Sequence, residues 1–176
     1  MRYLKSILLA LIVSVAVLTG IGFLLKPAYK IEKSILIKAP SDSILPFLVN
    51  LKKWPEWSAW NTKKDPTLKF VYTGPEQGTG AKQEWKGEVL DKGAVEITGI
   101  NKRSAVNHKF QLEEDFVSNG FLTLESQGKN TKVIWKIEGN VGSNIPQRYF
   151  LIFMEKLIST DMEEGMSKLK KICESE

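Results

Sequence analysis

The chain has 176 residues, a formal charge of +5, one His and one Cys. A single Cys excludes an intramolecular disulfide and a Cys-based metal cluster, and with one His a zinc site is not expected. Three of the 25 basic residues and none of the 20 acidic ones lie in the first 28 positions, so the remainder is nearly balanced. Its only arginines are Arg103 and Arg148. That spread surface lacks the clustered basic footprint of a nucleic-acid binder.

In chain order, the first feature is Ile7 to Leu25, 19 residues without a charge, long enough to cross a bilayer core as a helix. Arg2 and Lys5 precede it; Lys26 and Lys30 follow. The rival reading is a cleaved signal peptide, which has a shorter apolar region and small residues before the cleavage point. Here Leu24 and Leu25 occupy the exit, and no Cys follows that could carry a lipid. The expectation is therefore a single-pass membrane anchor over residues 1–28 and one domain over 29–176. Lysines flank the span on both sides, so the positive-inside rule does not fix its orientation; the short basic tail favours an extracytoplasmic domain.

The remaining length suits one domain with a substantial core. "YKIEKSILIKA" (29–39) alternates Ile31, Ile35 and Ile37 with polar neighbours and predicts a strand. A short helix follows, with Ser41 as expected N-cap and Ile44, Phe47, Leu48 and Leu51 on one face. "WPEWSAW" (54–60) then places three of the five tryptophans in seven residues. Pro55 suits a helical first turn, which sets Trp54, Trp57 and Trp60 near one side.

A run of β signals comes next. Leu68, Phe70 and Tyr72 alternate; Ala81, Gln83, Trp85, Gly87 and Val89 share the next face. Val95 and Ile97, then Val106, His108, Phe110 and Leu112, then Gly120 to Ser126, then Val133, Trp135 and Ile137 continue the pattern, with turn residues between them. "GTGAK" (78–82) matches neither phosphate-loop spacing and reads as a turn. The last element is a helix of roughly 28 residues, with Phe150, Met154, Leu157, Ile158, Met162, Met166, Leu169 and Ile172 expected on its apolar face. About seven antiparallel strands with segregated helices make an α+β domain.

The segments "IKAPSDSILPFLVNLKKWPEWSAW", "YTGPEQGTGAKQEW", "TKVIW" and "DMEEGMSKLKK" resemble, in this order, the START-like helix-grip (SRPBCC) superfamily, in its polyketide cyclase/dehydrase-type branch. The resemblance implies a curved antiparallel sheet around the C-terminal helix, with a cavity between them for an apolar ligand. Lipid carriers, cyclases and co-chaperone-like domains share this fold, so fold alone does not give function.

Within that frame, Trp57 and Trp60 either seal the core or wall the cavity mouth. Trp85, Phe110 and Trp135 point inward by strand parity, and Met154, Ile158 and Met162 are their counterparts on the helix. Tyr72, Gln83 and His108 are the inward polar groups, able to orient a ligand by hydrogen bonds. His108 has no partner legible in sequence to set its tautomer and pKa, so no nucleophile–base pair is expected. Gly165 inside the long helix suggests a close approach there. The expected function is non-catalytic binding of a hydrophobic small molecule or lipid by a monomer at a membrane, without a cofactor. A cyclase- or hydrolase-like enzyme assisted by His108 and Tyr72 is the alternative, and a co-chaperone-like interaction module the third reading.

Overall fold

Strand parity builds the sheet. The computed structural model describes residues 2–101, 104–112 and 116–175; Arg103 lies outside them. Its elements are α1 (Arg2–Leu24), β1 (Ala28–Ile37), α2 (Ser41–Val49), a 3₁₀ turn (Leu51–Lys53), α3 (Trp54–Trp57), β2 (Lys69–Thr73), β3 (Lys82–Lys86), β4 (Lys92–Asn101), β5 (Ala105–Leu112), β6 (Phe116–Gln127), β7 (Asn130–Asn140) and α4 (Ile145–Ser175). The seven strands form one antiparallel sheet in the order β1-β7-β6-β5-β4-β3-β2. Alternate residues face the core, as in β7, where Thr131, Val133, Trp135 and Ile137 are buried. The expected α+β helix-grip architecture is the observed one.

α4 lies over the core face of the sheet, running along β1. Lys33 bonds Glu163 at 2.6 Å, Lys170 donates to the Leu36 carbonyl, and Glu174 accepts from the Lys38 amide. Its buried stripe is Leu151, Met154, Ile158, Met162, Met166, Leu169 and Cys173. Phe150 and Leu157, expected on that stripe, face outward, because the helix turns its true core face toward Leu151. Gly165 meets the backbone of Trp57 and Ser58, so the close approach is to α3.

Three smaller expectations change. Pro40, not Ser41, is the N-cap residue of α2; the Ser41 hydroxyl lies 2.9 Å from Ser126 and 3.2 Å from Thr131, pinning the helix to β6 and β7. α3 ends at Trp57, so Trp60 reaches the same side from the following turn. β3 ends at Lys86, and Val89 sits exposed in the loop beyond it. "GTGAK" is a turn, as expected, with Gly78 and Gly80 at φ of +86° and +87°.

A pattern invisible to composition shapes the inner face. Gly93, Gly120 and Gly139 lie directly across from Trp85, His108 and Tyr29 on the neighbouring strands. A Cβ at any of the three would collide with the ring opposite. Each glycine is thus the floor on which a ring lies flat.

Candidate functional site

All five tryptophans meet in one cluster. Trp54 and Trp57 are 5.2 Å apart between ring centres, Trp57 and Trp135 5.4 Å, Trp60 and Phe110 4.8 Å, and Trp85 and Phe110 5.3 Å. Offset and edge-on pairs of this kind contribute about 0.5–1.5 kcal/mol beyond their burial. The indole N–H groups of Trp54 and Trp57 donate to the Leu48 and Phe47 carbonyls. These are carbonyls in the last turn of α2 that the helix itself leaves unpaired. The tryptophan motif is therefore both the filling of the grip and the C-terminal lock of α2.

His108 sits inside this cluster, against the edges of Trp54 and Trp135, and is only 1% exposed. The Trp135 indole N–H donates to its Nε2 at 3.4 Å, which makes Nε2 the acceptor and leaves the ring proton on Nδ1. Nδ1 makes no side-chain hydrogen bond among the described residues. Burial pulls the imidazole pKa down to about 4, with the Val106 backbone acting weakly in the other direction. The ring is thus neutral at pH 7, and among the described residues no titratable side chain acts on it that could tune it as a base.

The other expected site residues fall in three places. Gln83 is buried on the inner face of β3, while its cross-strand neighbour Tyr72 lies 37% exposed because β2 is the edge of the sheet. Met154, Ile158 and Met162 are buried on α4. Trp85, among the expected site residues, lines an open space.

That space is a cleft of about 830 Å³ around the end of the β2–β5 half of the sheet. Trp85, Gly93, Leu112 and Phe116 reach it from the inner rows, and Gln147 from the first turn of α4. From the outer rows come Lys69, Val71, Lys82, Glu84, Lys86, Lys92, Ala94 and Gln111. The register sets Lys69, Lys86 and Lys92 directly opposite one another across β2, β3 and β4. Like charges in that arrangement repel. Lys82 is paired with Glu84 at 2.6 Å, whereas none of the three row lysines has a salt bridge among the described residues. The Trp85 N–H is buried beneath the surface and lacks a hydrogen-bond partner among the described residues.

Asp65, not singled out from the sequence, holds the cleft's rim. Its fully buried carboxylate accepts from the Thr67 amide and hydroxyl at 3.0 and 2.6 Å and from the Val89 and Leu90 amides at 2.9 and 3.0 Å. Those bonds, the Thr67 hydroxyl first, pull its pKa to about 2. They fasten the β3–β4 loop, which ends in Asp91 just before Lys92 opens β4. The signal available in sequence was Asp65-Pro66-Thr67, an Asx-turn pattern. Among the described residues, no three His, Cys, Asp or Glu side chains are grouped as metal ligands.

The fold recurs widely among solved structures. The KanY protein matches with a TM-score of 0.63 at 16% identity, over 83% of this chain and 97% of its own. A protein of unknown function from Staphylococcus aureus matches with a TM-score of 0.63 at 10% identity, over 84% and 94%. Norcoclaurine synthase from Thalictrum flavum, solved with dopamine and hydroxybenzaldehyde, matches with a TM-score of 0.60 at 14% identity, over 86% and 90%. At these identities the likeness is one of fold. A comparison with curated proteins finds no match. The sequence model that describes polyketide cyclases/dehydrases and lipid transport matches residues 28–174, spanning every strand and nearly all of α4, so the chain belongs to that family.

Proposed function

We propose that this protein is a membrane-anchored, non-catalytic binder of an amphiphile that carries an apolar chain and an anionic group. The observation that carries the reading is the cleft at the end of the sheet: Trp85, Leu112 and Phe116 reach it from the inner face, and a row of three mutually opposed lysines reaches it from the outer face. An anionic head relieves the repulsion within that row, and an apolar chain covers the inner-face residues. α1 is long and apolar enough to span a bilayer, and a retained span would keep the cleft beside the phase from which such ligands partition.

Against catalysis stand the two groups on which the enzyme reading relied. His108 is enclosed by tryptophans, and Tyr72 has Phe70 as its ring partner at the sheet edge. Neither lines the cleft. The filled centre of the grip supports one other reading, an interaction module that has given up an interior ligand cavity.

The test uses full-length protein in lipid nanodiscs. A fluorescent fatty acid should bind and be displaced by unlabelled acid, while model esters should not turn over. Replacing Lys69, Lys86 and Lys92 together with Gln should remove most of the salt dependence of binding. Ester turnover abolished by His108→Gln supports the enzyme instead. No saturable binding of any amphiphile leaves the interaction module.

A further inference from the structure

The end of α1 is fastened to the start of α4. Arg148 donates from one terminal nitrogen to the Gly22, Phe23 and Leu25 carbonyls at 3.3, 3.1 and 3.3 Å. Its other nitrogens hold the Gly142 carbonyl at 3.0 and 2.7 Å. One guanidinium thus caps the C-terminus of α1 and ties it to the loop before α4. Gly22 forms the notch that receives Ile145 and Tyr149, since a Cβ there would collide with Ile145. The Tyr149 hydroxyl then donates to the Leu18 carbonyl at 2.6 Å.

That last bond sets a depth. Leu18 lies inside the apolar segment Tyr3–Leu24, six residues before its end, or about 9 Å along the axis at 1.5 Å per residue. If α1 spans the bilayer, the Tyr149 phenol sits within the span's last two turns, at the level where tyrosines collect. From Tyr149 the same face of α4 continues, four residues at a time, through Phe153 and Leu157, with Phe150 beside it. Phe150, Phe153 and Leu157 are 51%, 70% and 61% exposed. The apolar stripe then stops: Asp161, one turn beyond Leu157, pairs with Lys64, and Glu164 pairs with Lys168. Along this stripe the helix is apolar toward the anchor and charged away from it, with exposed Glu155 and Lys156 on the flanking faces, the polarity of a helix lying at a bilayer surface.

We infer that the N-terminal half of α4 is a second membrane contact, with Phe150, Phe153 and Leu157 seated in the lipid interface. The domain then lies against the bilayer in one orientation instead of swinging on a tether. Because Gln147, in the first turn of the same helix, lines the cleft, that orientation also brings the cleft toward the membrane. The inference rests on the reading of α1 as a retained span.

The test is depth-dependent quenching in vesicles of phosphatidylcholine and phosphatidylglycerol holding the full-length protein. An environment-sensitive fluorophore is attached, in separate variants, at Phe153→Cys, Leu157→Cys and, at the β6–β7 turn far from α1, Lys129→Cys. Cys173 is buried and stays in place, with the wild type as labelling control. Nitroxide-bearing lipids should quench the probes at 153 and 157 and leave 129 bright, and aqueous iodide should do the reverse. Protein that floats with the vesicles while iodide quenches all three positions overturns the docking and leaves the anchor intact. Shielding of 153 and 157 from both quenchers identifies a second protein chain as the occupant and also overturns it. Protein that fails to float removes the anchor reading and this inference with it.

Discussion

The centre of the grip and the end of the sheet use the same device to opposite effect. At the centre, Gly120 lets His108 lie flat, and Trp54 and Trp135 pack against it and leave it 1% exposed. At the end, Gly93 lets Trp85 lie flat, but no tryptophan covers it from α3, and a cleft remains. A glycine opposite a ring makes depth; what the neighbouring elements supply decides whether that depth becomes core or open cleft. In this chain α3 is spent on the centre, and the cleft lies at the rim.

The largest test of that division is to cut into the centre. Trp57→Ala or Trp135→Ala should cost about 3–5 kcal/mol, read by denaturant unfolding, because each removes a fully buried ring from the cluster. Amphiphile affinity should hold in the folded fraction. A stable Trp135→Ala variant that gains affinity would erase the distinction between the two regions.

Acid should reach the centre next. The folded pKa of His108 lies below its unfolded value, so the unfolded chain binds the extra proton, and stability falls as pH drops from about 6.5 to about 4. The loss across that window is about 3 kcal/mol, at 1.36 kcal/mol per pKa unit. Melting curves of His108→Gln should be flat over the same range. Asp65 adds a separate, lower step. Its folded pKa is depressed, so its contribution is present above about 4 and lost as pH falls toward 2.

The two glycines give a sharper and smaller contrast. Gly120→Ala and Gly93→Ala should each cost about 1–3 kcal/mol by forcing the opposed ring to move. Only Gly93→Ala should alter amphiphile affinity, since of the two opposed rings only Trp85 reaches the cleft. Smallest of all, Lys86→Gln should weaken an anionic amphiphile about 2- to 5-fold, the scale of one exposed charge contact, with no loss of stability. Equal effects of Lys86→Gln on anionic and uncharged amphiphiles would separate the lysine row from binding.

Much of the fold was legible because its signals are local. Alternation in "KVIWKI" and the helical spacing from Met154 to Leu169 each mark a core-facing side without reference to any partner. The site was less legible because inward does not mean cavity-lining. His108 and Trp135 have the right parity, yet α3 arrives from far along the chain and packs over them. Tyr72 has the parity of Gln83, but its exposure follows from β2 being the sheet edge, which is a matter of strand order. The lysine row required the register of three strands. Phe150 and Leu157 differ from the core stripe by only one helical position, a shift set by how α4 settles against β1 and α3.

The most direct test of the central claim is to map where a ligand touches. A fatty acid bearing a photoreactive diazirine on its chain, bound to the full-length protein in nanodiscs and irradiated, leaves adducts that peptide mass spectrometry can place. The account predicts adducts on Trp85, Leu112 and Phe116, suppressed by excess unlabelled acid. Adducts on Trp57, Trp60 or Trp135, with Trp85 clean, would contradict it and put the ligand inside the grip.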